Sequence, residues 1–383
     1  MVHYIWQHKE WPHFRWRSEE LIAPLSHCNY SRGRLLGRVA SLGLEFSREA
    51  QAAVLTAEVL QTSAIEGKRL DPDSVRSSVA RRLGLPAVGL NRQDRYTDGL
   101  VTDGLVDVLL DATGDYNRPL MMDRLHSWQA ALFPTGYSGI QRIATGKFRG
   151  KEPMQVISGP MGREMIHYEA VPGQRVEEEM AFFLKWWHES QGKMDGILRA
   201  AVAGFWFVTI HPYEDGNGRL ARVLTDMALA QDEKLPVRYY SFSAQIQEER
   251  QEYYDTLEHC QKDGLDITAW LLWFLGCFER ALRRSEELIS KVLLKARFWE
   301  INGKVPMTDR QIKVVNRLLD AGPGGFVGGL TTRKYIGMTK TSRATAYREI
   351  SDLVDKGILY QNTGKGRSVS YDLVWPEKDW DDV

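Results

Sequence analysis

Apolar residues recur along most of this chain at intervals of three and four, the spacing that lines one face of a helix. Within a helical pattern from about Ser31 to Leu83, the stretch REAQAAVLTAEVLQTSAIEG repeats in this way. Gly67 offers a stop, and DPDSVRSSVARRLG restarts with Asp71 as N-cap and Pro72 at the first helical position. Further helical patterns cover Asn91 to Asp111, MMDRLHSWQAALF, a segment resuming at Val176, DGILRAAVAGFWFVTI and RLARVLTDMALAQD. EERQEYYDTLEHCQ and the long ITAWLLWFLGCFERALRRSEELISKVLLKARFWE follow. The first 20 residues, with Trp6, Trp11 and Trp16, read instead as an irregular segment pinned by aromatics. Between Gly146 and Pro172 the period changes to two: MQVISG and EMIHYEAV flank the turn GPMGR, which predicts a β-hairpin.

From about Val305 the texture changes again. MTDRQIKVVNRLLDAG, LTTRKYIGMTK and TSRATAYREISDLVDKG predict three helices, and ILYQNTGKGRSVSYDLV predicts a hairpin tipped by GKG. Three helices and a two-stranded wing describe a winged helix-turn-helix. The expected fold class is mainly α, with a β-hairpin in the body of the chain and a small α+β tail.

Composition narrows the classes. At 383 residues the chain is long enough for two or three domains. Its 50 basic and 50 acidic residues create no global field favouring nucleic acid or membrane. Cys28, Cys260 and Cys277 are odd in number and widely spaced, which fits no zinc pair or disulfide framework and suits a reducing compartment. The start, MVHYIWQHKEWP, has no signal-peptide pattern. The apolar run from Ala200 to Ile210 is too short for a bilayer. A soluble, cytoplasmic protein with no membrane partner is expected.

The chemistry concentrates in HPYEDGNGRLAR, His211 to Arg222. Gly216, Asn217 and Gly218 precede a helix, so backbone N–H groups and the positive helix end can face a phosphate together. Arg219 in the first turn opposes the macrodipole unless an anion lies between them. Arg222, one turn on, shares that face and can reach a more distal phosphate. Asp215 can hold a divalent cation that bridges the phosphates, since hard cations prefer carboxylate oxygen. His211 is the group that titrates near neutral pH and can take a proton from a hydroxyl nucleophile. The loop is not a Walker A motif, because no Gly-Lys-Ser/Thr ending follows.

This stretch resembles the signature of Fic-domain proteins, His-x-Phe-x-(Asp/Glu)-Gly-Asn-(Gly/Lys)-Arg-x-x-Arg. His211, Asp215, Gly216, Asn217, Gly218, Arg219 and Arg222 match it, and Tyr213 replaces the usual Phe. The resemblance implies transfer of AMP from ATP to a Ser, Thr or Tyr hydroxyl of a target protein, with His211 as general base and Asp215 holding Mg²⁺. It gives the Gly-Asn-Gly turn and Arg219 the α- and β-phosphates, and Arg222 the γ-phosphate.

A second stretch, TSAIEG, ends a helix with Glu66, where a carboxylate faces the negative end of the dipole and calls for a cationic partner. It resembles the inhibitory motif (Ser/Thr)-x-x-x-Glu-(Gly/Asn) of Fic proteins whose inhibitory helix precedes the core, through Thr62, Glu66 and Gly67. That implies a Glu66–Arg222 pair that displaces the γ-phosphate, in cis or in trans across a homodimer. In some relatives the same glutamate positions a water that removes AMP. The segment from WPHFRW through VRSSVARRLG is similar to the N-terminal extension of bacterial Fic proteins of this subclass, so the resemblance covers roughly residues 1–300. The implied domains are residues 1–110, a helical region with the inhibitory helix; 111–300, the catalytic domain; and 301–383, the winged helix.

The predicted hairpin falls where Fic proteins carry a flap, and its edge can align an extended target segment beside His211. YYSFSAQIQEERQEYY resembles the adenine side, where Tyr240 and Tyr254 offer an aromatic wall, although tyrosines so spaced also suit a core. Glu249 stands where relatives often carry Asn. In the tail, Arg343, Tyr347 and Arg348 on the recognition helix and Lys365 and Arg367 on the wing form a basic face for DNA. Glu349, Asp352 and Asp355 dilute that face, and such modules also dock proteins. Three functions remain open: an adenylyltransferase restrained by Glu66, which also modifies itself; a Fic-type transferase of another phosphate-containing group; and a nucleotide-sensing DNA-binding regulator.

Overall fold

The computed structural model describes residues 4–40, 44–85, 97–158, 165–262, 264–362 and 369–376. The described chain is mainly α with three two-stranded antiparallel sheets, as the periodicity predicts. It divides into two compact units, Met1–Gly43 with Gln51–Glu286, and Leu44–Ala50 with Glu287–Val383.

The first unit opens with a single 3-10 turn, Ile5–Gln7, and tryptophans in and after it lie against the body of the unit: Trp6 Nε1 donates to the Glu169 carbonyl at 2.8 Å and Trp11 Nε1 to Glu179 at 2.8 Å. Helix α1 (Ser18–Ala40) begins well before Ser31, because Ser18, Glu19 and Glu20 make a good first turn while Pro24 inside the helix disguises its period. α2 (Leu44–Ile65) ends at Gly67, and α3 (Pro72–Leu83) starts as expected, with the Asp71 carboxylate accepting from Ser74 N at 2.7 Å. α4 (Thr97–Gly114) packs on α5 (Met122–Leu132). Residues 91–96, the start of the expected Asn91 helix, lie outside the described residues.

Two strands of two residues, β1 (Tyr137–Ser138) and β2 (Gln141–Arg142), were too short to show an alternation in the sequence. The expected hairpin is present as β3 (Gln155–Ser158) and β4 (Met165–Glu169); its turn, 159–164, lies outside the described residues. α6 (Val176–Ser190) leads to α7 (Gly196–Ile210), in which every residue is buried, and α7 packs along α8 (Asn217–Glu233). α9 (Phe242–Glu248), unannounced by periodicity because it lasts only two turns, starts at Ser241, whose hydroxyl accepts from Ala244 N at 3.1 Å. α10 (Arg250–Lys262) and α11 (Thr268–Asn302) complete the helices of the body. Among the described residues no helix is long and apolar enough to cross a membrane.

In the second unit, α12 (Asp309–Ala321), α13 (Thr332–Thr339) and α14 (Arg343–Asp355) surround a core that includes Phe298, Val315, Leu319, Ile350 and Leu353. A sheet of β5 (Leu359–Gln361) and β6 (Tyr371–Leu373) closes it. Arg343, Tyr347 and Arg348 are exposed on α14. Glu349 does not dilute that face: it is buried, accepting from Arg310 and, at 2.8 Å, from the Tyr335 hydroxyl. Lys365 and Arg367 lie outside the described residues.

Candidate active site

The loop between α7 and α8 is held by backbone chemistry before any ligand is considered. α7 starts on Asp195, whose carboxylate caps Ile197 N and Leu198 N, and stops where His211 adopts a left-handed conformation, φ 55° and ψ 59°. A residue with a Cβ resists that region by about 1–2 kcal/mol, so other contacts must fix it. Arg149 does so: its Nε donates to the His211 carbonyl at 2.7 Å, its backbone N–H to the Pro212 carbonyl at 2.9 Å, and its far nitrogen to the Val171 carbonyl. The Tyr168 hydroxyl donates to the Thr209 carbonyl at 2.8 Å from the hairpin side.

The middle of the loop is stitched by Asn217 and Tyr213. The Asn217 amide accepts from Tyr213 N at 2.9 Å and donates to Tyr213 O at 2.7 Å, while Tyr213 is fully buried with its hydroxyl 3.0 Å from His126 Nδ1. The Asn217 side chain is therefore committed to the loop, and only its backbone N–H remains to face an anion. Gly216 has φ 93°, and a Cβ there would stand 3.0 Å from the Phe133 ring. Among the described residues no side chain caps the start of α8, which leaves its first N–H groups available.

Around that helix end the structure gathers charge. Arg219 is 2% exposed, yet among the described residues its Nε and one terminal nitrogen have no hydrogen-bond partner; its guanidinium lies 4.7 Å over the Phe133 ring, and Asp215 is 3.9 Å away. Burial pushes its pKa down. Arg222 donates to the Thr62 hydroxyl at 2.7 Å, to the Thr62 carbonyl at 2.9 Å and to Glu66 Oε1 at 2.8 Å, while its third nitrogen has no hydrogen-bond partner among the described residues. Burial works against its charge, but Glu66 together with Tyr253 and Tyr254 holds its pKa above the ordinary value. Three buried guanidinium donors are thus left over beside an uncapped helix end, and each costs about 1–3 kcal/mol until an acceptor arrives.

Glu66 sits in that space. Its Oε1 is 2.2 Å from where a Cβ on Gly218 would stand, so the carboxylate rests against the first turn of α8. Its own helix end is fastened by α10: Arg250 Nε donates to the Ile65 carbonyl at 2.8 Å and the Tyr254 hydroxyl at 3.3 Å. The structure thereby brings Thr62, Glu66 and Gly67 together with Asp215, Gly218, Arg219 and Arg222, residues about 150 positions apart in the chain.

Asp215 faces the other side of the loop. Its Oδ1 accepts from Gly216 N at 2.5 Å, the Ser138 hydroxyl donates to Oδ2, and Lys68 Nζ lies 3.8 Å from Oδ2. Among the described residues no three His, Cys, Asp or Glu side chains gather as a metal cluster. One carboxylate suits Mg²⁺ all the same, because this ion is commonly held by one or two carboxylates with ligand phosphates and water.

His211 Nδ1 is 3.2 Å from the Val208 carbonyl. A carbonyl only accepts, which assigns the proton to Nδ1 and leaves Nε2 with its lone pair. Burial, reinforced by Arg149, pushes the pKa down to about 4, against the pull of the Val208 carbonyl and of Glu66 and Asp215, so the ring is neutral at neutral pH while keeping partial exposure.

Tyr240 does not join this group. It is 1% exposed, its hydroxyl is given to Glu233, and Arg238 lies 4.0 Å over its ring, so it is a core residue of its own polar cluster. Glu249 is held by Arg280 through contacts of 2.5 and 2.7 Å. Lys68, Ser138, Arg149 and Arg250 belong to the site without having been singled out. Only Lys68, adjacent to TSAIEG, carried a signal by position; the rest are placed by tertiary contacts.

Comparison with known proteins agrees with this geometry. Residues 119–229 match the Fic/DOC family, and residues 4–85 match a domain of unknown function (DUF4172). The protein adenylyltransferase fic-1 of Caenorhabditis briggsae is 38% identical over 71 residues, a stretch that spans 18% of this chain and 14% of that relative. Among solved structures, a Fic family protein from Desulfovibrio desulfuricans superposes with a TM-score of 0.53 at 16% identity, covering 92% of this chain and 95% of that one. Fic-1 from Caenorhabditis elegans gives 0.50 at 19% identity, covering 72% and 76%. The helical core with its hairpin therefore has the fold of these Fic structures, and the α7–α8 loop lies within the stretch, residues 119–229, that matches the Fic/DOC family.

Proposed function

We propose that the chain is a Fic-type transferase that moves AMP from ATP to a hydroxyl side chain of a protein, itself included, and that Glu66 restrains it. The observation that carries this reading is the Glu66 carboxylate resting on the α8 N-terminus, paired with Arg222 at 2.8 Å, beside buried guanidinium donors that have no acceptor among the described residues. That is an anion seat filled by the protein's own carboxylate.

In the reaction, the target hydroxyl oxygen attacks the α-phosphorus. A new O–P bond forms, the α–β anhydride bond breaks, and pyrophosphate leaves with its electron pair. The hydroxyl proton passes to His211 Nε2, whose lone pair is free because Nδ1–H is tied to Val208. The α8 N–H groups and Arg219 orient the phosphates, and Arg222 meets the terminal one once Glu66 withdraws. Mg²⁺, held by Asp215 and the phosphates, would supply charge neutralisation. The exposed Ile157, Met165 and Ile166 of the β3–β4 hairpin offer an apolar edge along which an extended target segment can pair.

Incubation with α-labelled ATP tests the reading. Glu66→Gly should raise self-labelling strongly over wild type; His211→Ala should abolish labelling while ATP still binds; the adduct mass should be that of AMP. Undiminished labelling in His211→Ala would remove the base, and a different adduct mass would change the donor. For the second unit we read residues 301–383 as a winged helix whose exposed Arg343, Tyr347 and Arg348 suit an anionic partner. Duplex DNA retarded by wild type but not by Arg343→Glu/Arg348→Glu would identify that partner.

A further inference from the structure

A single capped turn carries two side chains of opposite charge to two different partners. Gly67, at φ +74°, gives its N–H to the Ala64 carbonyl at 2.9 Å, and Lys68 gives its N–H to the Ser63 carbonyl at 3.0 Å. These paired bonds close a helix through a left-handed residue and fix the backbone that follows. From this fixed turn Glu66 reaches Arg222 on one side of the α7–α8 loop. Lys68 reaches the other side, its Nζ 3.8 Å from Asp215 Oδ2, 3.4 Å from the Ser138 hydroxyl and 5.1 Å over the Phe133 ring.

We propose that Lys68 stands in for the divalent cation at Asp215, so that the turn fills both the phosphate half and the metal half of a metal–nucleotide site. This rests on the nucleotide reading above. The turn presents an anion to the arginine that would meet a phosphate and a cation to the carboxylate that would meet a metal. The oxygens of Asp215 are already engaged, Oδ1 by Gly216 N–H and Oδ2 by the Ser138 hydroxyl and Lys68. A hard cation needs those lone pairs, and a second positive charge beside an ammonium is repelled. Glu66 and Lys68 then control different things: Glu66 controls where the terminal phosphate lies, and Lys68 controls how strongly nucleotide binding depends on metal. Lys68 is 39% exposed on a flexible stem, so it can swing away when the ion enters, at the expense of apparent metal affinity.

Calorimetry on the full chain, titrated with ATP in EDTA and with ATP at rising free Mg²⁺, reads the ratio of the two affinities. In Lys68→Gln that ratio should rise by about tenfold over wild type. Lys68→Met, which keeps an apolar chain and removes the ammonium, should rise as far. Lys68→Arg should stay near wild type, and adding Asp215→Asn to Lys68→Gln should cancel the gain. Electron paramagnetic resonance with Mn²⁺–ATP should show the same order of bound metal. An unchanged ratio in Lys68→Gln overturns the stand-in and leaves the nucleotide site intact. Equal weakening with and without metal makes Lys68 a phosphate contact and also overturns it. Failure of ATP to bind any variant, Glu66→Gly included, overturns both this inference and the nucleotide reading.

Discussion

His211 is kept neutral by its surroundings. Its folded pKa is pushed from the ordinary 6.5 down to about 4, chiefly by burial, with Arg149 adding to the effect. On the proposed role of His211 as base, which must be unprotonated to accept a proton, the acid limb of kcat/KM for self-labelling by Glu66→Gly should lie well below pH 6.5. A flat profile from pH 5.5 to 8 on the acid side is the expected result; a limb near 6.5 would show a solvated imidazole. The sign for stability runs the same way. The unfolded chain takes this proton as pH falls through 6.5 and the folded chain does not, so the contribution present above 6.5 is lost between 6.5 and about 4. His211→Asn should lack that part of the slope in melting temperature against pH.

At the scale of elements, α2 is a strip of polar anchors rather than an apolar stripe alone. Glu58, Thr62 and Glu66 follow at four-residue spacing and so share a face. Glu58 is buried and accepts from the Ser241 hydroxyl at 2.8 Å and Ser243 N at 3.1 Å, at the start of α9. Thr62 accepts from Arg222, and Glu66 pairs with the same guanidinium. Thr62→Val keeps the shape and deletes one acceptor of a buried guanidinium, a loss of about 1–3 kcal/mol. Its self-labelling should rise above wild type but stay below Glu66→Gly, because the Glu66–Arg222 contact itself survives. Labelling at the wild-type level would mean that Thr62 does not help hold the helix end. The α7–α8 loop shows the complementary principle: its shape comes from Arg149, Asn217 and Tyr213, which leaves Arg219, Arg222 and the helix N–H groups for a ligand.

At the scale of the whole molecule, the loop depends on helices that approach too closely for larger side chains. A Cβ on Gly104 of α4 would stand 2.0 Å from the Ala131 carbonyl oxygen of α5, a backbone atom that cannot turn aside. α5 carries His126, which meets the Tyr213 hydroxyl, and Gln129, which accepts from Gly146 N at 2.7 Å. Gly104→Ala should therefore separate α4 from α5 and destabilise the protein by about 1–3 kcal/mol, seen as a lower urea midpoint. Labelling by Glu66→Gly should fall with it, since α5 supports the loop; an unshifted midpoint would show that the crossing relaxes freely.

Much of this protein was legible along the chain. Helical periodicity, Asp71 before Pro72, the glycine stop at 67 and the alternation around β3 and β4 are local, and local rules of capping and patterning decide them. The carboxylate at the end of α2 asked for a cation, and the glycine-flanked bend before α8 asked for an anion, because both demands arise within one helix turn. What the sequence could not decide is which distant group answers each demand. Tyr240 looked free to line a site and is spent on Glu233 and Arg238, because burial depends on the whole packing of α8, α9 and α11. Arg149, Ser138 and Lys68 acquire their roles only when the folded chain brings them to His211 and Asp215. Patterning fixes elements because neighbours in sequence are neighbours in space; a site built from residues 66, 68, 149 and 215 exists only once long-range packing has closed the loops between them.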